Sequence, residues 1–338
     1  MHQGVFFSKQ EIYLPVYPKL RDTKHLDLSR HILQVFLIVT LMHSAGCESP
    51  YDFDSEYTEY LIVDGKVTNI GSEVILSYSG KFDANNSTLK PLTGAEVLLE
   101  DDAGASYKFI ANTNVYTPPQ GFSPKVDETY TLKVLAAGQS IISEPETIHP
   151  GFSFHLEAEE VTREVFSPSK VTKMIHGLDI IAHIDSTIPD NTYVKWDYMV
   201  LWTHPYTGQL MRESGASQFK VMSSADLKSS GSSSFVVLFW EDIQRYFYAE
   251  GVAGLEPAVN FQYHIFVTQT TLSKRAYQYW QQIHAQLKNT GGIFDAILGT
   301  IDGNLSIHGA DLPVLGYFSA GTAIRQEIVL DDVMILVP

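Results

Sequence analysis

Cysteine is almost missing from this chain: Cys47 is the only one among 338 residues. A lone thiol cannot form an internal disulfide, so packed cores have to hold the fold. Charge is scarce as well, at 18% of residues. What there is leans acidic, with 23 Lys and Arg against 39 Asp and Glu and a net charge of -16. Such a surface repels nucleic acid and anionic headgroups, which argues against both as partners. Familiar catalytic signatures are missing too: the chain has no G-x-S-x-G elbow, no H-E-x-x-H, no Walker A loop and no G-x-G-x-x-G turn. Their absence removes the simplest serine hydrolase, zincin, P-loop and dinucleotide readings. No fixed period marks an internal repeat, and no tract is of low complexity. The apolar run Ile32–Met42, broken by Gln34 and Thr40, is about half of the roughly 20 residues that a spanning helix needs.

That short run has a setting of its own. Arg30 precedes it and Ser44, Ala45, Gly46 and Cys47 follow it, the basic, apolar and small-residue layout of a secretory signal peptide over residues 30–46. Its end resembles the lipobox of bacterial lipoproteins, with Ser44 where an aliphatic residue is usual. Cleavage before Cys47 leaves a thiol for diacylglycerol and a new amino group for acylation. Several acyl chains, at about 0.8 kcal/mol per buried methylene, make such an anchor stable. Cys47 is therefore the expected lipid attachment site. The polar stretch 1–29 reads as a start assigned too far upstream, with the true start near Arg30. Removing residues 1–46 takes away five basic residues (Lys9, Lys19, Arg21, Lys24, Arg30) and three acidic ones (Glu11, Asp22, Asp27), so the charge moves from -16 to -18. Residues 47–59, with Glu48, Asp52, Asp54, Glu56 and Glu59, form an acidic tether, read either as a solvated linker or as an acidic export signal.

What the chain has in quantity is hydrophobic residues, at 44%, and aromatics, at 12%, with Tyr and Phe at 18 each. This balance suits sheets with aromatic-rich faces. From Tyr60 the sequence falls into short β-branched and aromatic runs between turn residues. These are LIVDGKVT (61–68), EVILSYS (73–79), GAEVLLEDD (94–102), SYKFIAN (106–112), ETYTLKVLA (128–136) and QSIISEPETI (139–148). In the fifth run Tyr130, Leu132 and Val134 alternate with Thr131 and Lys133, the period of a half-buried strand. Six or seven such strands in residues 60–150 predict a small β-sandwich. Past Pro150, a second β-rich domain over residues 151–338 is expected from GLDIIAHID (177–185), TYVKWDYMVLWTH (192–204), SFVVLFWED (234–242), NFQYHIFVTQTT (260–271), PVLGYFSA (313–320) and RQEIVLDDVMILV (325–337). One amphipathic helix stands out at 273–288. Ser273 caps it, Ala276, Trp280, Ile283 and Leu287 share a face, and Gly291 and Gly292 stop it. The fold class is thus mainly β.

Candidate chemistry is thin. His183 and Asp185 alternate on a strand and so project from one face, where both could contact one ion, with His176 and Asp179 nearby, but ordinary polar residues on a solvated strand face are the much simpler reading. Glu100, Asp101 and Asp102 offer oxygens for calcium, yet DDAG reads more simply as a β-turn, as does Asp302–Asn304. Paired carboxylates for glycoside hydrolysis depend on a spatial separation that sequence does not give. Trp196, Tyr198, Trp202, Tyr206, Trp240, Tyr246 and Tyr248 include rings for stacking on a ligand, or for filling a core. No cofactor and no metal is expected.

The order LIVDGKVT, GAEVLLEDDAG, ETYTLKV and SEPETI behind a lipid-anchor cysteine resembles the Bacteroidota lipoproteins grouped as domain of unknown function 4249. The motifs SKRAYQYWQQI, DGNLS (302–306) and VLGYFSA (314–320) extend that resemblance over nearly all of the chain after Cys47. It implies a two-part β protein whose first module is similar to immunoglobulin-like or transthyretin-like sandwiches. It also implies an outer-membrane, lipid-anchored setting, at the cell surface, beside a TonB-dependent receptor. The expected role is a non-enzymatic accessory or binding subunit. A surface-anchored hydrolase of glycan or peptide and an adhesin-like structural module are the alternatives. The family brings no catalytic residues to carry onto positions here, and the cysteines that many members have in their mature region are not found in this chain.

Overall fold

The structure, a computed structural model, describes residues 58–80, 89–166, 172–203, 209–214, 219–239, 260–287, 301–309 and 313–334. The leader, Cys47 and all but the end of the acidic tether lie outside the described residues, as do Gly291, Gly292, Tyr206, Trp240, Tyr246 and Tyr248. The described chain is mainly β. In chain order its first strands are β1 Leu61–Thr68, β2 Glu73–Tyr78, β3 Lys90–Pro91, β4 Glu96–Asp101, β5 Ser106–Lys108, β6 Ile110–Asn112, β7 Val115–Thr117, β8 Thr129–Ala136, β9 Gln139–Ser143 and β10 Glu146–Thr147. Then come β11 Phe154–Phe166, β12 Thr172–Ile184, β13 Tyr193–Thr203, β14 Leu210–Ser214, β15 Lys220–Ser223, helix α1 Ser224–Ser230, β16 Ser232–Phe239, β17 Asn260–Leu272 and helix α2 Lys274–Leu287. The last are β18 Leu305–Ile307, β19 Leu315–Gly321 and β20 Ala323–Met334.

Two pairs of sheets enclose two cores. Sheet 1 has the order β19-β1-β2-β7-β6 with β3 beside β2, and sheet 2 the order β18-β9-β8-β4-β5 with β10 beside β8. Val63, Val74 and Leu76 of sheet 1 meet Val97, Leu99, Leu132, Val134 and Ile141 of sheet 2 in one buried cluster. The period-2 alternation in these strands turns every second side chain inward. Burying each Val or Leu contributes about 1.5–3 kcal/mol. Sheet 3, β11-β12-β16, packs its Phe154, Leu178, Ile180 and Ala182 against Val194, Trp196, Val200, Trp202, Tyr263, Ile265 and Val267 of sheet 4. Sheet 4 has the order β14-β13-β17-β20, with β15 also on β13.

Three features depart from the pattern read in sequence. The run 106–112 is two strands, because Phe109 turns into the core and its N–H bonds the Val97 carbonyl at 2.9 Å, so that β5 joins sheet 2 and β6 sheet 1. Pro145, with no N–H for a ladder, divides 139–148 into β9 and β10. Strand β11 alternates Phe154, Leu156 and Ala158 with His155, Glu157 and Glu159, a period of two that its glutamate-rich composition obscures. Yet it pairs with β12 over its whole length, from Phe154–Ile184 to Phe166–Thr172.

Residues 60–150 do not complete the first sandwich by themselves. Strand β18 pairs with β9, and β19 lies parallel to β1 from Ile62–Leu315 to Thr68–Gly321. A parallel partner has to arrive by a long connection, and here every strand of the second sandwich except β20 lies within it. Close backbone approach seats β19. Gly316 has φ of +98°, and a Cβ there would lie 2.1 Å from the Val63 carbonyl oxygen. Asn304 is buried beside it, donating to the Phe318 carbonyl at 2.8 Å and accepting from the Phe318 N–H at 2.9 Å. The same Asn304 amide reaches Glu146 Oε1 at 3.3 Å, to which the Tyr317 hydroxyl donates at 2.5 Å. Burial raises the Glu146 carboxyl above its ordinary value against the opposing pull of these hydrogen bonds.

Two outcomes are expected. Gly316→Ala should cost more than about 3 kcal/mol, since it meets both backbone strain and a steric block. Gly138→Ala, whose φ of +76° opens on free space, should cost about 1–2 kcal/mol; urea denaturation of both variants checks the contrast. For Glu146, the native state binds the proton more tightly than the unfolded chain, so stability falls as pH rises from the ordinary value of 4.5 through the raised one. Glu146→Gln keeps an acceptor for Tyr317 and Asn304 and should flatten that fall, which denaturation midpoints across the window would reveal.

Candidate functional site

The alternation that fills the cores also leaves a second set of side chains facing outward. In β1, Val63, Gly65 and Val67 turn into the first core, so Asp64, Lys66 and Thr68 face the other way. In sheet 4, the inward set from Val194 to Trp202 leaves Lys195, Asp197 and Met199 on the opposite face, with Phe266, Thr268 and Thr270 of β17 and Arg325 of β20. These two outer faces meet across a solvent-open cleft of about 410 Å³, bounded on one side by Trp280 of α2. A cleft of this size is in the range of small-molecule sites.

Helix α2 begins where expected. The Ser273 hydroxyl accepts the Ala276 N–H at 3.1 Å, an N-cap bond. Ala276 is buried, but the face it shares is mainly aromatic, with Tyr277, Tyr279 and Trp280 packed near Leu272 and Tyr317. Leu287, expected on the packed face, is 52% exposed. Tyr279 stacks near Tyr317 at 4.7 Å between centroids, and burial pushes its hydroxyl up to about 12. Trp280 faces the cleft. It also forms one wall of a cation site: Lys195 Nζ lies 4.4 Å from the Trp280 ring centroid and 5.0 Å from that of Phe219, while Asp197 Oδ1 takes its charge at 2.6 Å. Only 16% of the Lys195 side chain is exposed. A lysine held by two rings and a carboxylate is fixed in position, because a desolvated cation–π contact is worth about 2 kcal/mol.

Electrostatics inside the cleft are mixed. Lys66 pairs with Glu73 at 2.7 Å in an exposed contact of little energetic weight. Asp64 is open to solvent along the cleft yet enclosed by protein on its flanks. The enclosure outweighs Lys66 and Lys195 and raises its carboxyl above the ordinary value. Arg325 donates from Nε to Thr268 Oγ1 at 3.1 Å. Arg212 is exposed on β14 and has no side-chain partner among the described residues.

Of the residues singled out in sequence, Trp196 and Trp202 are core, at 0% and 3% exposure, and Tyr198, on the same inward face, packs against that core at the edge of the cleft. His183 and Asp185 both contact His155: the ring of His183 stacks on it at 5.2 Å while its Nε2 lies 3.1 Å from Glu157 Oε2, and Asp185 Oδ1 lies 2.5 Å from His155 Nδ1. Among the described residues no three His, Cys, Asp or Glu converge as a metal site, and the side chain of His176 lies outside them. Asp101 forms the turn read in DDAG: its side chain accepts the Ala105 N–H at 2.7 Å and its carbonyl the Gly104 N–H at 3.0 Å. Asn304, expected in a plain turn, is instead the buried clamp on β19. Sequence reading missed Asp64, Lys66, Lys195, Asp197, Arg212 and Arg325, because each is an ordinary outward residue on its own strand. Their common destination depends on which sheets face each other.

A prediction follows from the cleft charges. Lys195 opposes the upward push on Asp64, so Lys195→Met should raise the Asp64 carboxyl further. Carbon-detected NMR titration of the aspartate carboxyls, with Asp64→Asn to assign the resonance, would check it.

No curated protein matches the chain. Among the described residues no helix is long and apolar enough to cross a membrane. The sequence does match one family, described as a domain of unknown function, over residues 48–327, a span that opens directly after Cys47, runs into the last strand, β20, and takes in every residue named in the cleft. The chain belongs to this family, DUF4249.

Proposed function

We propose that this chain is a lipid-anchored envelope protein, tethered through Cys47, that works as a non-enzymatic binding or accessory subunit of a TonB-dependent outer-membrane transport system. The observation that carries the binding role is the cleft of about 410 Å³, whose walls come from residues 64–71, 195–199, 266–280 and 319–325 together with Arg212. Its polar groups are fixed by the folding of both sandwiches, which gives a ligand a pre-formed surface. The anchoring part draws its support from the apolar run and small residues before Cys47. The acidic residues after it give the length and solvation of a tether.

Asp64 and Asp197 line one cleft, and Asp64 has a raised carboxyl. That combination supports a second reading, a glycan hydrolase with Asp64 as the acid. Against it, Asp197 is taken up by Lys195 at 2.6 Å.

Three measurements separate these readings. Wild type should incorporate labelled fatty acid and partition into the outer membrane, and Cys47→Ser should do neither. The native lipoprotein, recovered from detergent-solubilised outer membrane, should bring a TonB-dependent receptor with it; recovery without a receptor overturns the accessory role. Turnover of a glycan panel by wild type, abolished in Asp64→Asn, would replace the binding role with the hydrolase.

A further inference from the structure

We infer that the cleft selects an organic anion, one whose carboxylate groups are carried on a body with an apolar or sugar-ring face. This rests on the binding reading above and names the chemical class of the ligand.

The charge inventory is the first argument. A chain of net charge -16 places four cations, Lys66, Lys195, Arg212 and Arg325, around one cleft against two carboxylates, Asp64 and Asp197. Most of this is settled internally. Lys195 is neutralised by Asp197, and Lys66 by Glu73. Glu327, the next outward residue after Arg325 on β20, is taken by His264 Nδ1 at 2.6 Å. Of the cleft's own charges this leaves the two guanidinium groups of Arg212 and Arg325, with no carboxylate partner among the described residues, against the one carboxyl of Asp64. Arginine stays charged at any physiological pH, and its planar fork matches a carboxylate.

The second argument is the floor between the two arginines. The pairing register puts Arg325 in one row with Thr268 and Asp197, and Arg212 in the row of Leu201 and His264. From Asp197 to Leu201 is four residues of β13, about 13 Å along the strand at the usual rise. The intervening row holds Met199 and Phe266, with Glu327 beside Phe266 and turned to His264, so two apolar side chains separate the charged positions on β13 and β17. Thr268 and Thr270 add hydroxyls, and Trp280 adds an aromatic surface on the flank. Isolated inorganic anions would use one guanidinium and none of this apolar surface. A carboxylate-bearing ring compound uses both kinds of surface.

The test uses the mature chain with trigalacturonate, maltotriose and inorganic phosphate in calorimetric titrations. Trigalacturonate carries carboxylates on sugar rings, maltotriose is its neutral counterpart of similar size, and phosphate is charge without a body. Wild type should bind trigalacturonate at least tenfold more tightly than either of the others. The single variants Arg325→Gln and Arg212→Gln should each weaken it at least tenfold, with thermal unfolding unchanged to show that they fold. Equal binding of maltotriose, indifferent to both substitutions, overturns the anion inference while leaving the binding role intact. Phosphate bound as tightly as trigalacturonate overturns the organic part of it. If wild type takes up none of the three, the anion inference falls; if a broad panel of neutral and cationic compounds also gives no heat and no thermal shift, the binding role falls with it.

Discussion

At Gly321 and Thr322 a strand leaves sheet 1 and enters sheet 4 without an intervening loop, and three distant parts of the chain hold it there. Thr322 accepts the Thr271 N–H at 3.0 Å, donates its own N–H to Thr271 Oγ1 at 2.9 Å, and donates its hydroxyl to the His149 carbonyl at 2.7 Å. Asn69 brackets Ala323, accepting its N–H at 2.7 Å and donating to its carbonyl at 3.0 Å. A Cβ at Gly321 would lie 2.0 Å from the Thr271 carbonyl oxygen, so the backbones touch at this crossing. Buried backbone groups have to be paired, and here the pairing joins residues from four separated stretches. The two sandwiches therefore form their own cores but share one continuous strand.

The cleft is a consequence of that shared strand. Because β19 and β20 belong to different sheets, the outer face of one sheet is brought opposite the outer face of the other, near the crossing. Ser319 of β19 and Arg325 of β20 both line it. Neither sandwich alone has a concave surface at these positions, since a single sheet presents its outward residues to open solvent. The parallel pairing of β19 with β1 puts Asp64 and Lys66 at the crossing rather than at a remote edge. Glu146, Asn304 and Tyr317 secure that pairing from beneath, at the expense of a buried carboxyl.

Within the cleft the division of labour between charges follows from burial. Lys195, mostly buried, is locked by Asp197, Trp280 and Phe219 and acts as part of the wall. The more exposed arginines are the groups with unused hydrogen-bonding capacity. A strongly acidic molecule that keeps such groups uncovered in one place presents a local positive field that its overall charge does not reveal.

Much of this was legible beforehand, and the limits have a physical form. The strand 61–68 and the capped helix ending at Leu287 matched the elements observed, because a period of two or of 3.6 residues is written locally in the order of side chains. The order of motifs identified the family, and the residues around Cys47 supplied the expectation of a lipid anchor. Strand β11 was masked by its glutamates, although Phe154, Leu156 and Ala158 keep the alternation that turns them to the core. Asn304 looked like any turn residue, although it holds β19 in place. Alternation says that one face of a strand is buried, but not which sheet covers it or what the other face will meet. Those pairings join residues as far apart as Asp64 and Tyr317 through backbone hydrogen bonds that carry no side-chain signature. The sequence by itself determined most of the elements and the family; only the tertiary structure decided that six ordinary charges would share one cleft.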